Sequence, residues 1–385
     1  MKRIGLLGST GSIGVQTLNI IREMPNQFSV KYLSAHDNVK LLVEQSKEFK
    51  PDMICIVNES HVEEAKQELK QYNIEILHGI NGLNEISKFN NIDIALNAIV
   101  GSAGMRSTYN IVSSNIDLAL VNKESLVMAG KLIMDKVNKS KSNIFPVDSE
   151  HSAIWQCLVG ENIDEVEKII LTGSGGPFRQ LPLNEFKNVT LNDALNHPNW
   201  EMGKKISIDS ATMMNKGLEF IEACWLFNMN YKMIDIIVHP QSIIHSMVEF
   251  VDGSVKAQLG LPNMTIPIQY AMTYPHHISN NTEKIKLSKI KDLTFEEPDL
   301  TKFPCIKLAY EAQKEGGTYP TVLNIANDLA VEAFINNEIQ FLDIYKLINI
   351  ALDKHNSMDN FDLDVIDQIY STTFNFMKEQ IKCLH

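Results

Sequence analysis

The sequence predicts an α/β protein with a mostly parallel, doubly wound sheet at its N-terminal end, a second α/β region and a C-terminal helical bundle. Short apolar runs alternate with helical periodicity over residues 1–147, which is typical of parallel strands joined by crossover helices. A glycine-rich turn follows the first apolar run at Gly8. From Cys305 onward the pattern is helical, which indicates a small domain of packed helices.

The composition limits the classes of protein to which the chain can belong. Its 385 residues exceed one ordinary core and predict two or three domains. Acidic residues outnumber basic ones by 47 to 35, for a net charge of −12, which argues against a nucleic-acid or membrane-surface partner. Five cysteines without CxxC spacing predict free thiols in a reducing compartment. With no signal-peptide layout and no membrane-length apolar run, we expect a cytoplasmic protein.

The alternation divides the chain into four segments. We predict a first domain at residues 1–147, a second α/β domain at 148–274, a polar linker at 275–304 and a helical domain at 305–385. Strands of the first domain are predicted at residues 4–7, 30–35, 53–57, 92–99, 118–121 and 144–147. Strands of the second are predicted at residues 168–171, 205–208, 233–238, 243–251 and 255–259, with a helix at 217–227 and a hairpin at Asp252-Gly253.

One stretch of the second domain has no clear periodicity. Residues 178–204 contain His197 and Trp200 among polar residues and prolines. An aromatic residue in a long polar loop is often part of a lid that closes over substrate. A tryptophan that anchors the loop to the core is an equally common arrangement. We therefore predict a flexible flap over residues 174–204.

The turn Gly8-x-x-Gly11-x-x-Gly14 lies between a predicted strand and a predicted helix. Glycines at this spacing let backbone N–H groups approach a pyrophosphate at the helix N-terminus. The turn therefore predicts dinucleotide binding, with a tight turn that binds no ligand as the alternative.

The end of the second strand bears on the choice between NAD and NADP. Asp37 would bond a ribose 2′-hydroxyl and repel a 2′-phosphate. His36 in its protonated form and Asn38 would instead receive that phosphate. A plain loop in which Asn38 caps the next helix has equal weight.

The segment Asn122-Lys123-Glu124 follows a later strand of the same sheet. Ligands gather at the carboxyl ends of parallel strands, so Lys123 is predicted to face the cofactor or substrate. The alternative is a surface turn with a helix cap.

Three carboxylates form the most informative pattern in the chain. Asp148 and Glu150 stand two residues apart after an apolar run, and a strand would place both on one face. Glu219 follows Lys216-Gly217-Leu218 in a helical pattern. A site rich in carboxylate oxygens with no thiolate suits Mg²⁺ or Mn²⁺. For Asp148 and Glu150 alone, a solvated acidic turn is equally compatible, and neighbouring His151 is more often an ordinary hydrogen-bonded histidine.

Hydroxyl, amide and ammonium groups also lie near glycine turns or predicted strand ends. The set is Ser174, Ser210, Asn215 and Lys216. Several neutral donors with one point charge suit a phosphate group, although each serine alone is more often a cap. The histidine pairs His239/His245 and His276/His277 have no third ligand and are predicted to be structural or surface residues.

Taken in order, the motifs strongly resemble the 1-deoxy-D-xylulose 5-phosphate reductoisomerase family over essentially the whole chain. The segments that carry the resemblance are residues 8–14, 98–101, 122–126, 146–151, 171–179, 197–200, 208–219 and 239–242. The resemblance implies an NADPH- and divalent-metal-dependent enzyme of the non-mevalonate isoprenoid pathway, with a Rossmann-like N-terminal domain and a phosphorylated small-molecule substrate. A homodimer is also expected.

The resemblance implies a role for individual positions. Asp148, Glu150 and Glu219 resemble the metal ligands, and Ser174, Ser210, Asn215 and Lys216 resemble the phosphate site. Lys123 and Ser149 resemble contacts to the hydroxyl and carbonyl end of the substrate, and His197 and Trp200 resemble the flap. Cofactor contacts are implied for Thr10, Gly11, Ser12, Ile13, Asn122, Glu124 and Gly203. The chain departs from the family at His36-Asp37, where a glycine followed by a basic or small residue is usual.

Two other functions fit part of the pattern. A plain dehydrogenase acting on a phosphorylated sugar would use the same turn but would not rearrange the carbon skeleton. A nucleotide-sensing protein would bind the cofactor but would have no use for the three carboxylates.

Overall fold

The structure is a computed structural model that describes residues 1–200 and 202–384. The chain divides into two compact units. The first unit comprises residues 1–125, 131–152 and 263–282, and the second comprises 126–130, 153–262 and the chain from 283 onward. The predicted boundaries at 148, 275 and 305 differ from those of these units, and the division into the predicted domains stays a prediction.

The described residues form eleven strands and fifteen α-helices. The strands are β1 Lys2–Leu7, β2 Phe28–Ala35, β3 Met53–Ile56, β4 Glu75–His78, β5 Ile94–Asn97, β6 Asp117–Leu120, β7 Ile144–Pro146, β8 Val166–Gly173, β9 Ile234–Val238, β10 Ile244–Phe250 and β11 Val255–Leu259. The helices are α1 Ser12–Glu23, α2 Val39–Phe49, α3 Val62–Glu68, α4 Gly79–Ile86, α5 Met105–Ser113, α6 Lys123–Lys139, α7 Ser149–Leu158, α8 Leu191–Leu195, α9 Lys204–Ala211, α10 Met214–Leu226, α11 Thr265–Thr273, α12 Pro304–Glu315, α13 Tyr319–Ile335, α14 Phe341–Lys354 and α15 Leu363–Lys382.

The first unit contains a parallel sheet with the strand order β4-β3-β2-β1-β5-β6-β7. The chain adds strands in one direction from β1 to β4 and in the other from β5 to β7. Because crossovers are right-handed, this reversal places helices on opposite faces of the sheet. The predicted doubly wound sheet is confirmed, and its switch point lies between β1 and β5, where such sheets open a ligand crevice.

The core of this unit is formed by the inward-facing residues of the strands and by the helices packed on them. Ile4, Leu6 and Ile54 are fully buried or nearly so. Ile268 of α11 belongs to the same cluster. Although α11 follows the second sheet in sequence, its side chains therefore complete the core of the first unit.

The second unit contains a mixed sheet with the order β11-β10-β8-β9. The predicted hairpin is confirmed, because Gly253 adopts a left-handed φ of 83° and its N–H donates to Phe250 at 2.8 Å. The outer edge of β9 is covered at Val238, which forms an isolated bridge with Glu296. At the other edge, β11 pairs only with β10 among the described strands.

The C-terminal half of the second unit is helical, as predicted. Helix α13 packs against α12, α14 and α15, and α12 packs against α10. Fully buried residues of α13 include Leu323, Ala326 and Ala330. The helix that carries Glu219 is therefore supported from behind by the bundle.

Two sequence predictions about local structure were wrong. The strand predicted at 205–208 is instead α9. Alternating Ile206 and Ile208 imitate a strand pattern, but Lys205 and Asp209 pair at i, i+4, which favours a helix. The single face assumed for Asp148 and Glu150 is also wrong, because β7 ends at Pro146 and Glu150 lies in the first turn of α7.

The predicted flap contains more regular structure than its sequence suggested. A 3-10 turn spans Leu183–Asn188, and α8 begins with a capping box formed by Thr190 and Asp193. Phe178 and Phe186 are buried, and their ring centroids lie 5.8 Å apart. The segment before α8 is thereby packed on the core of its unit.

All five cysteines are free, as predicted, and four of them are buried. No helix in the described ranges combines the length and the apolar character that crossing a bilayer would require.

Candidate functional site

The glycine turn of the first unit has a shape that only glycine allows. Gly8 adopts a φ of 77°, and a Cβ there would lie 2.8 Å from the carbonyl oxygen of Ala98. At Gly14 a Cβ would lie 2.3 Å from the oxygen of Gly8. The close approach of the turn to the loop after β5 and to the start of α1 therefore requires both glycines.

The N-terminus of α1 has no protein cap. Gly11 is the N-cap residue, no side chain caps the helix and its first turn contains no acidic residue. Gly11 and Ser12 are exposed and Thr10 and Ile13 are half-buried. Unbonded N–H groups at a helix N-terminus bind anions, so these four residues form a candidate pyrophosphate site.

The loop after β2 holds Asp37 in a network that the sequence did not reveal. His36 Nδ1 lies 2.8 Å from one carboxylate oxygen of Asp37, and Asn58 donates to the other at 2.8 Å. These hydrogen bonds, chiefly the one from Asn58, lower the pKa of Asp37. The side chain of Asn38 accepts from the N–H of Leu41, which confirms its role as a helix cap.

Asn122 and Glu124, predicted cofactor contacts, are buried at the start of α6. Asn122 accepts from the N–H of Ser125 at 3.0 Å and donates to the carbonyls of Ile99 and Gly101 at 2.7 and 2.8 Å. Asn122 thereby fixes the loop after β5 to the loop after β6. Both loops lie at the carboxyl edge of the sheet, next to the switch point.

Lys123 and Asp148 form a buried ion pair in the first unit. Their Nζ and Oδ2 atoms lie 2.5 Å apart, and the side chains are 6% and 10% exposed. Burial alone would raise the pKa of Asp148, but the Lys123 ammonium, with a smaller effect from nearby His151, holds it well below its usual range. The carboxylate is therefore ionised at neutral pH, which is the state that binds a metal cation.

Glu150 and Ser149 begin α7 directly after Asp148. The hydroxyl of Ser149 donates to Glu150 Oε2 at 2.6 Å. His151 Nδ1 lies 3.9 Å from Asp148 Oδ1, and its side chain is fully buried. His151 thus supports Asp148 within this unit.

In the second unit, a glycine turn after β8 carries Ser174. Gly175 and Gly176 adopt φ values of 85° and 69°, and a Cβ on Gly176 would lie 2.4 Å from the carbonyl oxygen of Ser210. A Cβ on Gly173 would lie 2.9 Å from Cε of Lys216. The turn therefore brings Ser174 close to Ser210 and Lys216, as a common phosphate site requires.

Asn215, Lys216 and Glu219 lie on the first two turns of α10. Asn215 donates to Glu219 Oε1 at 2.5 Å, and Lys216 Nζ lies 2.5 Å from Glu219 Oε2. Lys216 and Glu219 are 4% and 1% exposed. Met213 turns the chain into α10 with a left-handed φ of 59°.

His197 joins the flap to the phosphate turn. Its Nδ1 accepts from the N–H groups of Asn199 and Trp200 at 3.2 and 3.1 Å. Its Nε2 therefore carries the proton and donates to Ser174 Oγ at 3.1 Å. Burial, with a smaller effect from the Lys216 ammonium, lowers the pKa of His197 to about 4.

Two residues that sequence reasoning missed hold this end of the flap. Asn199 donates to the carbonyl of Pro240 at 2.8 Å and to Ser242 Oγ at 2.9 Å. The ring of Trp200 lies 6.3 Å from that of His245. Asn199 lies in the segment 197–200 that carries the family resemblance, but no role was predicted for it, and His245 was predicted only to be a structural or surface residue.

Three other histidines are structural or surface residues, as predicted. The ring of His239 bonds to the carbonyl of Thr294 and to the N–H of Ile243. His276 and His277 are exposed. Gly203 is the N-cap of α9. Asp148 and Glu150 belong to the first unit and Glu219 to the second, so their union in one metal site stays a proposal.

His245 gives a prediction about stability and pH. Burial lowers its pKa to about 4, whereas an unfolded histidine has a pKa of about 6.5. Between these values the unfolded chain binds more protons than the native chain, so stability falls as pH drops through this window. The parent protein should lose stability between pH 7 and pH 5. We expect His245→Gln to lose about 1–2 kcal/mol less over the same range. Thermal melts at both pH values measure it.

The control for this experiment is His276→Gln, which changes an exposed histidine. It should lose as much stability on acidification as the parent protein does. Equal pH dependence in the His245 variant and the parent would contradict the prediction.

An uncapped glycine turn at the switch point of a doubly wound sheet is typical of proteins that bind a dinucleotide. Comparisons with known proteins specify the family. Residues 4–130 match the family model described as 1-deoxy-D-xylulose 5-phosphate reductoisomerase, and residues 144–227 and 259–373 match models of the C-terminal domains of the same enzyme.

Relatives of the same name match over most or all of the chain. The chain is 51% identical over 385 residues to the 1-deoxy-D-xylulose 5-phosphate reductoisomerase of Chloroherpeton thalassium, covering 100% of both chains. It is 49% identical over 356 residues to that of Pelotomaculum thermopropionicum, covering 92% of each. The chain belongs to the 1-deoxy-D-xylulose 5-phosphate reductoisomerase family.

Solved structures of reductoisomerases from the same family have the same fold as this chain. A DOX-P reductoisomerase crystallised with NADPH, fosmidomycin and magnesium superimposes with a TM-score of 0.95 at 38% identity, covering 100% of this chain and 99% of that one. The Zymomonas mobilis enzyme in complex with NADPH gives a TM-score of 0.92 at 40% identity, covering 99% of each.

Proposed function

We propose that the chain converts 1-deoxy-D-xylulose 5-phosphate to 2-C-methyl-D-erythritol 4-phosphate by a rearrangement and an NADPH-dependent reduction. The main support for this reaction is the 51% identity, over the full length of both chains, to a relative named 1-deoxy-D-xylulose 5-phosphate reductoisomerase. The uncapped glycine turn and the paired carboxylates supply the chemical groups that such a reaction uses. Its place is the non-mevalonate isoprenoid pathway.

The test is oxidation of NADPH by the purified protein with the pentulose phosphate, with and without Mg²⁺ or Mn²⁺. We expect turnover only when the metal is present, and a product with a branched carbon skeleton. A linear product would indicate a plain dehydrogenase, and binding of NADPH without turnover would indicate a sensor.

Asp148, Glu150 and Glu219 are the proposed ligands of the divalent metal. Carboxylate oxygens suit a hard cation, and the low pKa of Asp148 keeps that ligand ionised. A bound Mg²⁺ or Mn²⁺ supplies Lewis-acid stabilisation of negative charge on substrate oxygens. A related enzyme was crystallised with magnesium.

Ser174, Ser210, Asn215 and Lys216 are the proposed phosphate contacts. The approach of Gly173 to Lys216 and of Gly176 to Ser210 supports one common site. A phosphate held there orients the reacting carbons with binding energy from a remote group. Fosmidomycin in complexes of related enzymes is consistent with a phosphorylated ligand.

Lys123 and Ser149 are proposed to contact the hydroxyl and carbonyl end of the substrate. Lys123 is positioned by Asp148, so its ammonium is oriented before substrate arrives. His197 and Trp200 are proposed to close over the substrate and exclude water. Because Phe178 and Phe186 are buried, we place the moving part of the flap near residues 196–200, where amide exchange with and without a phosphonate would measure it.

NADPH is the proposed cofactor, which supplies the hydride when bound. Thr10, Gly11, Ser12 and Ile13 would hold the pyrophosphate, and Asn122, Glu124 and Gly203 would contribute further contacts. His36 and Asn38 are proposed to face the 2′-phosphate. Asn58 and His36 occupy both carboxylate oxygens of Asp37, which supports NADPH over NADH.

This arrangement gives a prediction about cofactor preference. Asn58→Ala releases Asp37 to accept from a ribose 2′-hydroxyl, so the preference for NADPH over NADH should fall about threefold. Asp37→Asn removes the negative charge and should raise the same preference. The ratio of kcat/KM values for the two cofactors measures both effects. Shifts in the same direction would exclude Asp37 as the determinant.

Two further properties complete the proposal. We propose a homodimer, supported by the open edge of β11, where Val255 is 48% exposed; light scattering after size-exclusion chromatography measures the mass. We also propose a cytoplasmic location, supported by five free cysteines. Cell fractionation tests this location.

A further inference from the structure

A buried polar network joins α9 to α13 in the second unit. Lys205 Nζ lies 2.9 Å from Asp209 Oδ2 and 3.2 Å from Asp328 Oδ1. The side-chain amide of Asn327 donates to the other oxygen of Asp209 at 2.8 Å. Asp209 is 1% exposed and Asn327 is fully buried. Since a buried carboxylate is costly unless each oxygen is paired, these bonds restrict α9 to one position.

The network adjoins the proposed phosphate site on the α9 side. Asp209 directly precedes Ser210, whose carbonyl oxygen contacts the glycine turn at Gly176. The backbone position of Asp209 therefore determines where the hydroxyl of Ser210 lies relative to Ser174. Within the described residues, the hydroxyl of Ser210 has no hydrogen-bond partner in the protein.

The same network extends to the start of α10. Thr212 donates from its hydroxyl to the carbonyl of Asp209 at 3.2 Å and accepts from the N–H of Met214 at 3.3 Å. Met214 begins the helix that carries Lys216. Asp209 thus anchors both sides of the turn that presents the phosphate-binding groups.

An asparagine is not the residue type expected at position 327 if the side chain served packing alone. Its amide oxygen is buried and finds no donor within the described residues. An unsatisfied buried acceptor is destabilising, and an apolar side chain of similar shape would avoid that cost. The NH2 group of the same amide does have a partner, because it donates to Asp209.

We propose that Asn327 is a positioning residue for the substrate phosphate, acting through Asp209 on Ser210. The inference rests on the proposed function, which assigns Ser210 to the phosphate. Asn327 adds a neutral donor where Lys205 already supplies the positive charge, and so fixes the second oxygen of Asp209 without changing the net charge. Asn327 itself touches neither substrate nor cofactor.

The test compares Asn327→Leu with the matched variant Asn324→Leu. Asn324 lies on the same helix, is equally buried and also has an unpartnered amide oxygen, but its side-chain amide donates to Asp328 at 3.4 Å and not to Asp209. We expect Asn327→Leu to raise the KM for 1-deoxy-D-xylulose 5-phosphate about tenfold. Its KM for NADPH should stay unchanged, and Asn324→Leu should change neither value. If Asn327→Leu does not fold, Asn327→Ser, whose side chain is too short to reach Asp209, is measured in its place.

A double-mutant cycle with Ser210→Ala decides whether the effect passes through Ser210. In the Ser210→Ala background, Asn327→Leu should change the substrate KM by less than about twofold. Additive effects, or equal rises in the KM of substrate and NADPH, would overturn the proposal. A normal substrate KM in Ser210→Ala alone would remove Ser210 from the phosphate site and this inference with it. Absence of turnover in the parent protein would instead reject the proposed function.

Discussion

Glu219→Gln should lower kcat by about a hundredfold or more while the protein remains folded. Glu219 is 1% exposed, accepts from Asn215 on one oxygen and pairs with Lys216 on the other. Glutamine keeps the shape but replaces one oxygen by a donor, which then faces the donor of Asn215 or the ammonium of Lys216. The variant thus loses one proposed metal ligand and the partner of a buried cation.

The measurement combines steady-state kinetics with a direct determination of metal affinity. Titration with Mn²⁺ followed by electron paramagnetic resonance should show weaker binding in Glu219→Gln than in the parent. The charge-matched control is Glu249→Gln on β10, which removes a partly exposed carboxylate paired with Lys168. Unchanged Mn²⁺ affinity in Glu219→Gln would exclude Glu219 from the metal site.

The fold was predictable wherever the signal was local. Gly8 and Gly14 permit a strand–helix contact that a single Cβ would prevent, and Asn38 caps α2, as its position in the sequence indicates. Strand β4 was missed because Glu75 to His78 form an edge strand only partly buried. Helix α9 imitates a strand in sequence because Ile206 and Ile208 alternate, and the pairing of Lys205 with Asp209 that favours a helix is visible only in the folded structure.

The candidate site shows the same division. Residues such as Lys123, Ser174 and Lys216 stand beside glycine turns or strand ends, which is why the sequence predicts them as site residues, and their roles stay predictions. Asn58 and Asn327 were not found, because each acts on an aspartate that is distant in the chain and has no motif of its own. Residues that hold a site residue in place do so through three-dimensional contacts. The hydrophobic periodicity and the composition of the sequence do not reveal such contacts.

Lys216→Met should raise the KM for the phosphorylated substrate by about 10- to 100-fold, with a much smaller change for NADPH. The proposed site has this one cation among its four members, and a charged hydrogen bond contributes about 1.5–3 kcal/mol. Methionine retains the apolar length of the side chain, so the loss reports on charge. Because Glu219 also loses its partner, we expect kcat to fall as well.

Gly173→Ala separates the position of Lys216 from its charge. A Cβ at Gly173 would lie 2.9 Å from Lys216 Cε, so alanine should displace the ammonium while leaving it ionised. We expect a rise in substrate KM in the same direction as in Lys216→Met, but smaller. The control is Lys168→Ala, which removes a lysine from β8, the strand that ends at Gly173. This variant should bind substrate normally.

If Lys216→Met weakened the binding of NADPH and of substrate equally, Lys216 would be acting on the cofactor or on the whole unit. A rise confined to the substrate, graded from Gly173→Ala to Lys216→Met, would support the ammonium as the charged contact to the phosphate.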